Sequence, residues 1–397
     1  MSKINDLIKE MCPKGVEYKT IGEICYFQNG YAFKSSLFKS KGDILLRITN
    51  IDGKKIDLSD IKYIDVFDYN SDLSPFKVGS DEIVIAMSGA TTGKIGINCT
   101  GKLLYLNQRI GKITPKDDRM NNRFLYHYLL NKVNYFYRLA GGGAQPNLSS
   151  DAIKNTIIPT PPIEVQEEIV RILDKFSELE AELEAELEAR KNQYEFWRGK
   201  LLNDGTELVK LKEICSYSND RISYDKLSED NYVGVDNLLQ NKKGKTKSYH
   251  VPTSGNSTKF EKNDILIGNI RPYLRKIWFA DCCGGTNGDV LDIRVNDTKK
   301  IYPRFLYYVL SSESFFEYNN SNSKGAKMPR GDKQVIMNYE FIVPSIEKQI
   351  HIASILDIFD KLVNDISEGI PAEIELRKKQ YEYYRNKLLN FEELKNE

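Results

Sequence analysis

The feature that most constrains this chain of 397 residues is that it repeats itself. EYKTIGEIC from Glu17 resembles ELVKLKEIC from Glu207, and VGSDEIVIAMSGATTGKIG from Val78 matches FEKNDILIGNIRPYLRKIW from Phe260. NRFLYHYLL from Asn122 matches PRFLYYVLS from Pro303. PPIEVQEEIVRILDKF from Pro161 matches PSIEKQIHIASILDIF from Pro344, and RKNQYEFWRGKLL from Arg190 matches RKKQYEYYRNKLL from Arg377. The offset stays near half the chain. Self-similarity at a fixed offset marks a duplicated structural unit. Each half is therefore a variable globular segment followed by a more similar helix, with an expected internal pseudo-two-fold. Ile4, Leu7 and Met11 form an apolar stripe before the first segment, as Tyr194, Trp197 and Leu201 do before the second. The repeat thus looks circularly permuted. The first helix reads as the missing end of the last, with the termini close together.

Within each segment, ILLRITNI from Ile44, EIVIAMS from Glu82 and DILIGNI from Asp264 read as strands bounded by Gly, Asp or Asn. NRFLYHYLLNKVNYFYRL and PRFLYYVLSSESFFEY carry a helical apolar spacing. The fold class is α+β: two similar domains of mixed, partly antiparallel sheet with helices, joined by two long antiparallel helices forming a coiled coil. In the first helix Ile169, Ile172, Phe176, Leu179, Leu183 and Leu187 recur every three or four residues, and Tyr194, Trp197 and Leu201 follow. In the second, Ile352, Ile355, Phe359, Leu362 and Ile366 continue the pattern, Gly369 and Pro371 predict a break, and Ile374, Tyr381, Tyr384 and Leu388 resume it. The expected boundaries are 1–160 for the first domain, 161–203 for the central helix, 204–343 for the second domain and 344–397 for the last helix.

The formal net charge is +1, which argues against a uniformly basic nucleic-acid binder but not against one with separated charge. Between Asn241 and Trp278 nine Lys and Arg stand against two Asp and Glu, and between Ile163 and Leu202 six stand against eleven. The second globular segment is basic where the central helix is acidic. Cys12, Cys25, Cys99, Cys215, Cys282 and Cys283 show no C-x-x-C spacing, and the three histidines lie far apart, so no metal site is expected. SGATTGKI from Ser88 is not a phosphate loop, and no G-x-S-x-G or H-E-x-x-H occurs. TPPIE from Thr160 lacks the residues of an amino-methyltransferase motif, and no nuclease cluster is found. The expectation is a binding protein without catalytic residues. No apolar run is long enough to cross a membrane and no apolar signal core begins the chain, so a cytoplasmic location is expected.

In this order GATTGKIG, NQRIGKI from Asn107, GGAQPNLS from Gly142, IKNTIIPTPPIEVQEEIVRILD and the QYEYYRNKLL ending resemble the specificity (S) subunit of type I restriction-modification systems over nearly the whole chain. In the second half GGAQPNLS becomes KGAKMPRGD and NQRIGKI becomes TNGDVLDI, as expected if that domain reads different bases. The resemblance implies two target recognition domains on double-stranded DNA and a helical spacer docking two modification subunits. It implies S-adenosylmethionine in those subunits, and ATP and Mg in added restriction subunits. Neither activity would reside in this chain, which would hold no cofactor.

Arg, Asn and Gln suit base edges, and Lys suits phosphates. The candidate DNA-binding residues are Arg47, Lys94, Gln108, Arg109, Gln145 and Asn147 in the first domain. In the second they are Lys242, Lys243, Lys245, Asn269, Arg271, Tyr273, Arg275, Lys276 and Arg330. For each, a structural or solvent-facing role is the alternative. Phe176, Leu179, Leu183, Leu187, Tyr194, Trp197, Phe359, Leu362, Tyr381 and Tyr384 are candidates for the helix seam or a partner joint, with seam packing favoured. Two other readings remain: a coiled-coil scaffold without DNA function, and a stand-alone DNA methyltransferase or nuclease.

Overall fold

A computed structural model of the chain describes residues 2–141, 146–365 and 367–394, with Ser2, Lys3 and Asn5 as backbone only. Two compact units emerge: Met1–Glu182 with Ile374–Glu397, and Leu183–Glu373.

In the first unit, strands Cys25–Asn29, Ile110–Pro115, Ile83–Ala86 and Ile95–Ile97 form an antiparallel sheet in that spatial order. A second sheet orders Lys62–Ile64, Asp43–Leu46, Leu104–Leu106 and Lys77–Val78, with one parallel pair. Tyr18–Thr20 pairs with Ile157–Pro159 beside them. The second unit repeats this design. Its first sheet orders Cys215–Tyr217, Val290–Val295, Ile265–Gly268 and Ile277–Phe279. Its second orders Arg221–Ser223, Asn256–Phe260, Gly284–Thr286 and Tyr232–Val233, again with one parallel pair, and Glu207–Lys210 pairs with Glu340–Val343. The helices expected after the sheets form as Asn122–Leu130 and Val133–Leu139, and as Pro303–Leu310 and Glu313–Ser321.

The central helix runs from Ile163 to Leu202. The second joining helix comes in two pieces, Ile346–Asn364 and Ile370–Leu388, with the break where Gly369 and Pro371 place it. A Cβ on Gly369 would lie 2.5 Å from the Lys361 carbonyl, so only glycine fits this crossing. Each piece packs antiparallel on the central helix within its own unit. In the first unit Phe176 stacks on Tyr384 at 5.2 Å, and Lys378 reaches Glu180 at 3.6 Å. In the second Tyr194 stacks on Phe359 at 6.1 Å, and Lys348 reaches Asp204 at 2.8 Å. Tyr194 and Tyr381 are buried, while Leu179, Leu183 and Leu187 are half-buried.

Two seam residues need correcting. Trp197 is 36% exposed, because its neighbour Arg198 turns inward and donates to the Tyr308 carbonyl and Ser311 Oγ. Leu362 is also 36% exposed, and Val363 is buried in its stead. Ile366 lies outside the described residues. The permutation reading also needs revision. The last helix lacks nothing at its end, since its own Tyr381, Leu388 and Leu389 are buried. The first helix, Ser2–Met11, is an additional element that places Ile4 in the same core. Backbone bonds join the two chain ends: Val16 N–H donates to the Glu392 carbonyl and Leu394 N–H to the Val16 carbonyl.

The same polar devices fasten each globular part to its helix. Gln166 is fully buried. Its Oε1 accepts from Asn121 N–H at 2.8 Å, and its Nε2 donates to the Arg119 and Pro161 carbonyls at 2.8 and 2.7 Å. Gln349, also fully buried, accepts from Tyr302 N–H and donates to the Lys300 and Pro344 carbonyls. About two turns further, Asp174 accepts from Arg123 at 2.6 Å, and His127 Nε2 lies 2.7 Å from it. Asp357 accepts from Arg304 at 2.7 Å and from the Tyr308 hydroxyl.

One position, half-buried in the first unit and buried in the second, differs sharply between the repeats. In the first unit Lys112 meets Glu82 at 2.9 Å across the sheet. The matching residues of the second unit are both acids: Asp292, which pairs with Leu266 across the strands, and Asp264, just before that strand. Asp264 is satisfied by Arg294, which also holds Asp220. Neither oxygen of Asp292 has a hydrogen-bond partner among the described residues. Burial first, and the Asp264 carboxylate second, push the Asp292 carboxyl up to about 8.

Two predictions follow from these packing features. Substituting Gln166 or Gln349 by Ala leaves three backbone groups without partners, at about 1–3 kcal/mol for each group left buried and unpaired. Denaturant unfolding should show a loss of at least about 2 kcal/mol for the affected unit. The second concerns pH. From about 4, the ordinary carboxylate value, to about 8 the native second unit binds more protons at Asp292 than the unfolded chain. Its stability must then fall as pH rises through that window. In the first unit burial holds His127 below its ordinary value, so the unfolded chain binds the extra proton and stability is lost as pH falls below about 6.5. Both tryptophans, Trp197 and Trp278, lie in the second unit, so tryptophan-detected unfolding reads its slope alone. Asp292→Asn should flatten that slope and raise stability at pH 9.

Candidate nucleic-acid interface

In both units three separate segments meet at one end of the first sheet. In the first unit they are the hairpin loop 87–94, residues 107–109 between two strands, and residues 146–148 before the helix Ser150–Lys154. Met87 N–H donates to the Arg109 carbonyl at 2.9 Å, and Leu148 N–H to the Met87 carbonyl at 2.7 Å. Gly89 N–H donates to the Pro146 carbonyl at 3.3 Å, and Ser88 bridges to Asn147. The second unit reproduces each link. Asn269 N–H donates to the Asp289 carbonyl at 2.8 Å, and Gly331 N–H to the Asn269 carbonyl at 3.2 Å. Arg271 N–H donates to the Pro329 carbonyl at 2.7 Å, and Ile270 bridges to Arg330. Candidates scattered along the sequence thus converge because the sheet register brings their loops together.

The first surface is lightly charged. Gln108, Arg109 and Asn147 are exposed, and among the described residues the Arg109 guanidinium has no ion pair. Lys94 is half-buried against the turn at Gly53. The turn 48–50 abuts Gly89, and the Arg47 guanidinium is tied to Asp60 at 2.7 Å. Gln145 lies outside the described residues.

The second surface is dense in cations, and most are held. Arg275 pairs with Glu313 at 2.8 Å, Lys242 with the same carboxylate at 3.2 Å, and Arg330 with Asp289 at 3.2 Å. Lys245 donates to the Asp230 carbonyl and lies 5.1 Å over the Trp278 ring. Arg271 and Lys243 are exposed and, among the described residues, without an ion pair. Tyr273 stands between the two arginines, 52% exposed.

Three expected contacts are corrected here. Lys276 is buried and donates to the Val235 carbonyl, so it fastens the loop from beneath. Burial keeps its ammonium below the usual lysine value. Asn269 is buried as well, and its Oδ1 has no partner among the described residues. It lies under Gly331, where a Cβ would come within 2.7 Å of it and 2.3 Å of Asn319 Oδ1. Lys242 is held below the usual value by burial first and by Arg198 second, and its pairing with Glu313 makes it structural. Sequence reasoning missed Glu313 and Asp289, the acids that orient these cations. No local signal marks them, because they come from distant segments.

Backbone geometry adds a further contrast. The paired residues Ile85 and Ile95 flank the first loop, and Ile267 and Ile277 flank the second, with equal loop lengths. Gly89 and Gly93 sit at φ 79° and 82°. The matching positions hold Arg271 and Arg275, at φ 54° and 52°. A left-handed conformation costs a residue with a Cβ roughly 1–2 kcal/mol.

Among the described residues no His, Cys, Asp and Glu cluster could hold a metal ion, and no helix is long and apolar enough to cross a membrane. The surfaces offer hydrogen-bond donors, cations and an aromatic ring, which suit a polyanion with readable edges.

Residues 13–189 and 203–376 both match the type I restriction modification DNA specificity domain. A relative from Haemophilus influenzae, described as a type I restriction enzyme specificity subunit, is 31% identical over 318 residues, covering 72% of this chain and 76% of its own. The EcoR124I/EcoR124II specificity subunit of Escherichia coli is 30% identical, covering 69% of this chain and 72% of its own. The solved S subunit from M. genitalium is similar in fold, with a TM-score of 0.56 at 15% identity over 94% of this chain and 96% of that one. A chain from a study of type I system assembly gives a TM-score of 0.59 at 15% identity, covering 95% and 98%.

Proposed function

Since the chain belongs to the family of type I restriction-modification specificity subunits, we propose that each three-loop surface reads one half of a split DNA site. The observation that carries this is the pairing of one backbone frame with two side-chain sets. The same loop contacts recur in both units, while Gln108, Arg109 and Asn147 give way to Gly288, Asp289 and Arg330. A fold kept constant around changed side chains is what two different half-sites require. Arg, Asn and Gln read base edges bidentately, and cations neutralise phosphates. Tethering two readers makes the second binding event intramolecular, which raises specificity without new contacts.

In this reading the joining helices set the gap between half-sites and dock the modification subunits. Phe196 and Tyr383, at matching positions of the repeat, are 65% and 60% exposed, and Trp197 is partly exposed beside Phe196. Such aromatic area is characteristic of protein contacts. Two modification subunits would bring S-adenosylmethionine and methylate adenine; restriction subunits would bring ATP and Mg. This chain would supply recognition only, in the cytoplasm, without a cofactor of its own. The scaffold and stand-alone-enzyme readings have no support from the relatives.

Single-molecule sequencing of DNA from cells co-expressing the chain with its modification subunit tests the reading. A split motif methylated on both strands is expected, and no methylation with a folded, S-adenosylmethionine-binding partner would refute it. The spacer makes a second prediction. Deleting residues 183–186 removes about 6 Å of helix, or slightly under two base pairs. Both half-sites should stay unchanged while the gap shortens, and an unchanged gap would refute the spacer role.

A further inference from the structure

We infer that Arg271 is a specificity-determining residue of the second unit, and that it reads a guanine in the major groove. The inference rests on the proposed reading of DNA by the three-loop surfaces.

The first repeat shows what this loop needs in order to fold. It turns through two positive-φ positions and fills both with glycine. Glycine there is unstrained, because it lacks the Cβ that makes the left-handed region costly. At Gly93 space is tight as well, since a Cβ would lie 3.0 Å from the Tyr137 nitrogen and the Val133 carbonyl. At Gly89 φ alone calls for glycine, the nearest atom being Ile48 Cδ1 at 3.4 Å.

The second repeat keeps the left-handed turn and puts arginine at both places. Arginine contributes nothing to that backbone that glycine would not. The Arg271 N–H bond to the Pro329 carbonyl is a main-chain bond, and Gly89 makes its counterpart to Pro146. Strain that the fold can avoid is kept where a side chain has work to do. For Arg275 part of that work is structural, since its guanidinium is tied to Glu313. For Arg271 no structural work is found: its side chain is exposed and, among the described residues, makes no ion pair.

The surroundings select its target. Pro272 follows it and is buried, which fixes the start of the short helical turn Pro272–Leu274. Pro329 anchors its N–H. Arg330 and Arg275, on either side, are each engaged by an acid. Arg271 is thus a guanidinium without an ion pair on a stiff base, between two that are each held by an acid. A backbone that holds the side chain's root in one place favours directional recognition over diffuse phosphate attraction. The planar fork of arginine matches the O6 and N7 acceptors of guanine, the commonest specific contact in the major groove.

The test compares the parent chain, Arg271→Gly and Arg271→Lys, each co-expressed with the modification subunit, by single-molecule methylation sequencing and by thermal unfolding of the purified complexes. If the inference holds, Arg271→Gly keeps the first half-site and the gap, and discrimination at one guanine of the second half-site falls about 10- to 100-fold. Its unfolding midpoint stays equal to the parent's or rises. Arg271→Lys keeps the charge and loses the fork, and should relax the same guanine. A parent-like motif from Arg271→Lys with a weakened one from Arg271→Gly would overturn base reading in favour of a phosphate contact. A parent motif from both variants, or a clearly lower midpoint for Arg271→Gly, would overturn the inference while leaving the reading of DNA intact. Failure of the parent itself to produce a split motif would remove the reading on which the inference stands.

Discussion

A buried glutamine just inside each joining helix determines how the globular part of each unit meets its helix. Gln166 and Gln349 each satisfy three backbone groups from two separate segments. A buried amide with all partners in place is directional in a way that apolar packing is not. The clip therefore fixes an angle, whereas the apolar contacts around it supply most of the burial energy. Arg123 with Asp174, and Arg304 with Asp357, hold the neighbouring sheet-covering helix to the same joining helix. The loops at the sheet end inherit their position from this joint. A reader that must place side chains against base edges to within ångströms needs such a support beneath it.

Above that joint the two units diverge. Clip, sheet order and loop contacts are common to both. In the first sheet, at the strand end away from the loops, an ion pair, Lys112 with Glu82, is replaced by two buried acids and an arginine. At the surface two glycines become two arginines. Each change conserves the backbone and alters what it presents. The same division explains why the first surface is sparsely charged and the second holds several cations with their acids.

Much of this was legible in the sequence for a simple reason: a duplicated chain compares itself with itself. The repeat pointed to two similar globular parts joined by helices, and Gly369 with Pro371 pointed to the break. It also pointed to the loops that converge, because GATTGKIG and NIRPYLRK occupy matching places. Whether a given side chain faced out was not legible. Arg198 carries no sequence signal of burial, yet it is buried because the Tyr308 carbonyl and Ser311 Oγ satisfy it. Trp197 reads as core and is displaced outward by that arginine. Asn269 and Lys276 read as contacts because their types suit DNA, yet the loop folds over them. Glu313 was invisible, because its role depends on Lys242 and Arg275 arriving from distant segments. Periodicity records which face is apolar on average. It does not record where a polar group finds partners.

The central claim is that three loops in each unit form one DNA-reading surface on a common frame. Hydrogen exchange of the chain, assembled with its modification subunits and measured with and without a duplex carrying its split site, tests it most directly. The account predicts slowed exchange in 87–94, 107–109 and 146–148 of the first unit, and in 269–276, 287–289 and 329–331 of the second. It predicts little change in the outer strands Lys62–Ile64 and Arg221–Ser223. Protection confined to the joining helices, or to one of the three loops in each unit, would contradict it.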